Sequence, residues 1–109
     1  MARETLTVQP VVRAGLTASY TSFEASGVAF ANEGRTFMHI KNLTGDTTLT
    51  IITPNTVDGL AIDDRTVSVG ADEEHFIGPF QPGVYNQSTD VVHVDISTAT
   101  SVSVAVMRL

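Results

Sequence analysis

A chain of 109 residues makes one ordinary domain, and it can bury roughly two thirds of its unfolded surface without a metal or disulfide staple. With no cysteine, thiol catalysis, Cys-ligated zinc and a disulfide framework are excluded, and the redox compartment stays open. Twelve Asp and Glu face six Lys and Arg, a formal charge of −6, which opposes binding to phosphate backbones.

Thr, Ser and Val dominate the text, and β-branched residues favour strands over helices. The first dozen residues read as an extended N-terminal arm over 1–12. Pro10 interrupts the apolar run there, and Val8, Val11 and Val12 show no clear alternation. Such an arm would find its partners on a neighbouring subunit. The start, MARETLTVQP, lacks the apolar run of an export signal, and no segment reaches the apolar length of a membrane span. Two glycosylation acceptor patterns, at Asn42 and Asn86, are set aside for want of that signal.

Residues 13–109 read as a single all-β domain. The strongest alternations cover Arg35 to Lys41, Thr47 to Ile52, Arg65 to Val69, Val91 to Ile96 and Ser101 to Met107. In the last, Val102, Val104 and Val106 point one way and Ser101, Ser103 and Ala105 the other, as in a strand with one face in a core. Weaker strands are expected over Thr5 to Val8, Thr17 to Tyr20, Val28 to Phe30 and Glu74 to Ile77. Turn signals such as Asn32-Glu33-Gly34, Asp58-Gly59 and Gly70-Ala71-Asp72 separate them. The spacing predicts an antiparallel sandwich, jelly-roll-like or Greek-key, of about eight strands.

No chemistry stands out. On alternation, His39 and His93 lie opposite apolar neighbours and so face solvent or an interface. With His75 they lack the close spacing of a metal site. The carboxylates around Asp58 to Asp64 and Asp72 to Glu74 lack calcium-loop spacing and read as a solvated rim, with a loosely held calcium as the sharper alternative. There is no G-x-S-x-G elbow and no glycine-rich phosphate loop. No enzyme activity and no cofactor is expected. The densest text is HFIGPFQPGVYN, His75 to Asn86, which reads as a bend closing the sandwich and as an apolar contact surface.

The phrases NEGRTFMHIKN (Asn32 to Asn42), Thr53-Pro54, TVDGLA (Thr56 to Ala61), DRTVSV (Asp64 to Val69), Ile77-Gly78-Pro79-Phe80 and Tyr85-Asn86 resemble small proteins encoded among the head genes of tailed bacteriophages. The resemblance runs in order from about Val8 to Leu109. It implies a capsid decoration (cement) protein on the outer surface of the virion, made in the bacterial host cytoplasm. Its implied partners are the major capsid protein and copies of itself, as a homotrimer, with neither nucleic acid nor membrane. It carries no catalytic motif, so no functional residue transfers. The candidate contact residues are Val8, Pro10, Val11, Val12, Phe80, Pro82, Val84 and Tyr85. Deleting residues 2–12 is expected to leave a folded domain that no longer binds shells. Competing expectations are another virion part at the head–tail junction or tail, a carbohydrate-binding β module, and a small metal-dependent enzyme. The scarcity of aromatics (no Trp, two Tyr) weighs against the carbohydrate module.

Overall fold

The computed structural model describes residues 3–109. Its strands, in chain order, begin with β1 (Glu4–Leu6), β2 (Val8–Pro10), β3 (Thr21–Ser22), β4 (Val28–Ala31), β5 (Thr36–Asn42) and β6 (Thr47–Ile51). There follow β7 (Thr56–Val57), β8 (Leu60–Ala61), β9 (Arg65–Val69), β10 (Glu74–Ile77), one helical turn α1 (Pro82–Tyr85), β11 (Val91–Ile96) and β12 (Val102–Arg108).

Two sheets face each other as a sandwich. The first has the order β1-β4-β11-β6-β9; the second has the order β10-β5-β12-β2, with β3 also pairing to β12. The short strands β7 and β8 form a separate ribbon. Alternation explains the core. Val28 and Phe30, Leu49 and Ile51, and Val92 and Val94 meet Met38, Ile40, Val102, Val104 and Val106 from the other sheet, all essentially inaccessible. Each such side chain contributes about 1.5–3 kcal/mol relative to exposure.

The sandwich departs from expectation in three ways. Among the described residues twelve strand segments stand where about eight were expected, because three of them (β3, β7 and β8) are only two residues of pairing at an edge or in the ribbon and two more come from one split N-terminal segment. The sheets are mixed, not purely antiparallel: β1 runs parallel to β4 and β2 parallel to β12. Those two parallel pairs also correct the expected arm. Its residues 1 and 2 lie outside the described residues, but Glu4–Pro10 is built into the domain. Leu6 pairs with Phe30 in one sheet, and Val8 pairs with Val106 in the other. Leu6 is buried, and Val8 packs against the core. The segment is extended, as the text suggested, but its backbone donors and acceptors find partners within the same chain.

The ends of the sandwich are fixed by buried polar side chains. At one end Asn42 Nδ2 lies 2.6, 3.2 and 3.2 Å from the carbonyls of Gly45, Val69 and Gly70, tying two turns together. At the other, where β4, β10 and β12 finish and β5 and β11 begin, Asn32 takes the same part. Its Nδ2 donates to the Phe80 carbonyl (3.0 Å) and to Asn86 Oδ1 (2.7 Å), while Asn86 Nδ2 donates back to the Asn32 carbonyl (2.9 Å). This second end, the Arg108 end, carries the functional argument.

Candidate functional site

The HFIGPFQPGVYN stretch folds into strand, bend and helical turn. His75, Phe76 and Ile77 belong to β10, Gly78-Pro79 turns the chain, and Pro82 opens α1 at the first helical position that proline tolerates. Gly78 adopts φ +138°, and a Cβ there would lie 2.9 Å from Phe37 Cα. Only glycine lets the chain pass this close to β5.

Phe80 drops into the core, 3% exposed, with its ring 5.6 Å from Phe30 and 5.7 Å from Tyr85. That corrects its place among the contact candidates. The two Asn32–Asn86 side chains hold its backbone under the sandwich end, so its ring cannot reach a partner. Tyr85 and Val84 are half-buried, and Tyr85 packs against the core. Pro82 remains exposed.

The arm candidates converge on the same end. Pro10 pairs with Arg108, and the Val11 amide donates to the Arg108 carbonyl at 2.9 Å. Val8 and Pro82 line one open cleft of about 560 Å³ with Asn32, Glu33, Asp90 and Arg108. Val11 and Val12 lie beyond Pro10 and are exposed. The loop they begin returns at Ser19, where Gln9 makes two hydrogen bonds of 2.9 Å with the Ser19 backbone. Val8 and Pro82 therefore share one cleft, and Pro10, Val11 and Val12 leave the sandwich at the same end, although 70 residues separate Val12 from Pro82 in the chain.

Beside this cleft, across the Gly34-Arg35 turn, lies a second and more apolar pocket of about 300 Å³. Phe37, Phe76, Pro79 and Leu109 form its walls and Arg35 its rim. Phe76 is 69% exposed, a large value for a phenylalanine in a strand. The sequence reading missed this pocket; the exposed-face parity of Phe37 and Phe76 was its only trace.

The three histidines occupy separate environments. His39 is on the outer face of its sheet yet only 6% exposed, because Phe76 stacks on it with centroids 4.1 Å apart and Tyr20 covers its edge. Its Nε2–H donates to Glu74 Oε1 at 2.9 Å, since a carboxylate only accepts. Nδ1 then accepts from the Tyr20 hydroxyl at 2.6 Å. Lys41 Nζ sits 4.0 Å from the Tyr20 ring centroid and completes the cluster. Thus the alternation gave the right face for His39 and the wrong exposure. His93 stands on the opposite sheet, where burial and then the Arg3 guanidinium push its pKa down, while Asp95 pulls it up. His75 donates from Nε2 to Glu73 Oε1 at 3.2 Å. Glu73 also accepts from the Gly70 amide at 2.8 Å, and that bond, followed by the one from His75, holds its carboxyl below the usual range.

Among the described residues, no three His, Asp or Glu side chains are grouped to hold a metal ion, and no helix is long and apolar enough to cross a membrane. Compared with protein-family models, curated proteins and solved structures, the chain matches none. What the geometry provides is surface. Val11, Val12, Phe76 and Leu109 are exposed at or beside the Arg108 end, and of the large exposed apolar side chains only Leu43 belongs to the far end. Exposed apolar side chains gathered at one place mark a contact site more than a scatter would.

Proposed function

We propose that the protein is a decoration protein of a bacteriophage head, bound through its Arg108 end to the outer surface of the major capsid protein. One observation carries the reading: the exposed Val11 and Val12 follow directly on Pro10, whose partner Arg108 lines the cleft that Pro82 also lines, at the end of a small sandwich. The resemblance of its phrases to phage head proteins supplies the partner. Acidity supports the placement, because a chain of charge −6 is repelled by packaged DNA and suits the outer face of a shell.

The mechanism is adhesion. A contact of about 800 Å² per partner is modest alone, but repeated contacts on adjoining capsid subunits gain avidity without any new kind of interaction. Apolar side chains at the centre exclude water, and Arg108 in the cleft, with Arg13 next to Val12 in the chain, offers charged hydrogen bonds to a capsid surface.

Co-sedimentation with assembled shells of the phage that encodes the protein tests the reading. The wild-type chain is expected to pellet with shells, and the Val11→Asp, Val12→Asp double variant to stay in the supernatant. Wild-type protein that never binds shells overturns the function. A double variant that binds as well as wild type overturns the surface. A ring at one vertex, seen by particle imaging instead of many copies over the shell, would move the protein to the head–tail junction.

A further inference from the structure

The Arg108 end carries two unlike surfaces. One half carries the apolar pocket of Phe37, Phe76, Pro79 and Leu109, with Arg35 in its lining and Arg65 in the adjoining space that Phe76 and Pro79 also line. Among the described residues, neither Arg35 nor Arg65 has a carboxylate within salt-bridge distance, whereas Arg108 approaches Glu33 at 3.9 Å.

The other half carries the β7–β8 ribbon. Thr56 pairs with Ala61 and Val57 with Leu60 across Asp58-Gly59, whose φ values of 52° and 79° are those of a two-residue hairpin loop. The ribbon joins neither sheet. Its base is closed firmly: Thr53 donates from its hydroxyl to the Ile62 carbonyl (2.6 Å) and from its amide to Asp64 Oδ1 (2.8 Å), and Asn55 Nδ2 donates to the Asn86 carbonyl (3.0 Å). The segment 53–64 holds three carboxylates, Asp58, Asp63 and Asp64, and no cation. At its tip Leu60 is 72% exposed, the most exposed large apolar side chain among the described residues. A two-stranded ribbon without a packed face is marginal in water, so this one gains from an apolar seat outside its own fold.

We infer that the ribbon of one copy docks on the pocket of a second copy, with Leu60 entering between Phe76 and Leu109 and the ribbon carboxylates facing Arg35 and Arg65. Three features favour a second copy as the occupant. Pocket and knob are both apolar and both exposed, and the pocket is large enough for one branched aliphatic side chain. The charges around them are opposite in sign: Asp58, Asp63 and Asp64 on the ribbon and its base, Arg35 and Arg65 without a carboxylate partner at the pocket. Both surfaces lie at the same end of the molecule, the ribbon between β6 and β9 of one sheet and the pocket beside β5 and β10 of the other, so neighbouring copies side by side bring one against the other. Such a contact is heterologous, and each copy keeps a free ribbon and a free pocket until the contacts close in a ring. It adds to the shell-binding reading a contact between neighbours, and it is measured without shells, so either can fail alone.

Sedimentation velocity and light scattering on the isolated protein test it. Wild-type chain is expected to associate reversibly, more weakly as salt is added because exposed charges are screened. Leu60→Asp removes the knob and Leu109→Asp the pocket, each on an exposed residue whose change leaves the core untouched. Each variant alone is expected to associate at least tenfold more weakly. Mixed in equal amounts, the two are expected to form a 1:1 dimer, because the first retains its pocket and the second its knob. That complementation also certifies that both are folded. A wild-type chain that stays monomeric at its highest soluble concentration overturns the inference. So do single variants that associate like wild type, or folded variants, checked by circular dichroism, that fail to pair when mixed.

Discussion

Leu6 and Val8 are two residues apart in the chain and belong to different sheets: Leu6 pairs with Phe30 and Val8 with Val106, each in parallel register. The N-terminal segment thus stitches the two halves of the sandwich together along one side. Deleting residues 2–12 is therefore expected to abolish cooperative unfolding, contrary to the expectation of a dispensable arm. The milder Leu6→Ala change should cost about 2–5 kcal/mol, the range for large-to-small changes at buried sites. Urea titration followed by circular dichroism measures both. A truncated chain with an unchanged transition would return the segment to the status of an arm.

The Asn32–Asn86 clamp is the second test of the fold. Asn32→Ala removes the donor to the Phe80 carbonyl, the acceptor that receives the Gly34 amide at 3.0 Å and the bond to Asn86. Leaving such groups without partners costs about 1–3 kcal/mol each before relaxation and water entry. The expected loss is at least about 2 kcal/mol, with the near-ultraviolet signal of Phe80 and Tyr85 changing in step. A loss confined to a few tenths would mean that the corner is held by its apolar contacts alone.

Tyr20→Phe isolates the hydroxyl that meets His39. The ring and its contact with Lys41 are kept, while Nδ1 of a buried imidazole loses its donor. About 1–3 kcal/mol of destabilisation is expected from that orphaned acceptor. In the same variant, amides of the segment that leads from Val12 to Thr21 should exchange with solvent faster, because Tyr20 pins this segment to the sheet. Unchanged exchange there would show that the Gln9–Ser19 pair holds the loop without help.

Acid should weaken the fold in two stages. Burial, aided by Arg3, pushes the folded His93 pKa down, so the unfolded chain binds that proton more tightly. Stability linked to neutral His93 is complete above about pH 6.5 and is lost as pH falls through the lower folded value. Glu73, held down by the Gly70 amide and then by His75, has the same sense at a lower range. Its contribution is complete above about pH 4.3 and is lost as pH falls through its folded value. His93→Gln should flatten the first stage and leave the second. A variant with the wild-type profile between pH 7 and 5, on the order of the His range, would remove His93 from the account.

Much of the sandwich was legible because its central strands alternate. The runs from Arg35, Thr47, Arg65, Val91 and Ser101 are found as β5, β6, β9, β11 and β12, each within a residue or so at its ends. Thr17 to Tyr20 failed as a strand, since Tyr20 is engaged by the His39 side chain and pairing starts only at Thr21. What alternation cannot carry is the choice of partner. Parallel pairing of β1 and β2, and hence the loss of the free arm, depends on residues 20 to 100 positions away. For the contact surface the same limit applies. Val11, Val12 and Pro82 could be singled out locally as exposed apolar positions, but their place at one end of the sandwich follows from the pairing of β2 with β12 and from the Asn32 clamp. Of the two readings of the HFIGPFQPGVYN stretch, Phe80 follows the bend that closes the sandwich and not the contact surface, its ring set against Phe30.

The position of β12 has a consequence for how the protein is made. This strand, nearest the C-terminal side of the sequence, is bonded to β5 on one flank and to β2 and β3 on the other. On the ribosome, then, one sheet has a gap at its centre until residues 102–108 have emerged, and the N-terminal segment waits with half of its pairing unsatisfied. Sheets that depend on such distant pairings close slowly and leave sticky edges open meanwhile. Synthesis rate and chaperone supply, more than the intrinsic stability of the finished sandwich, should govern the yield of folded protein in a host crowded with nascent chains.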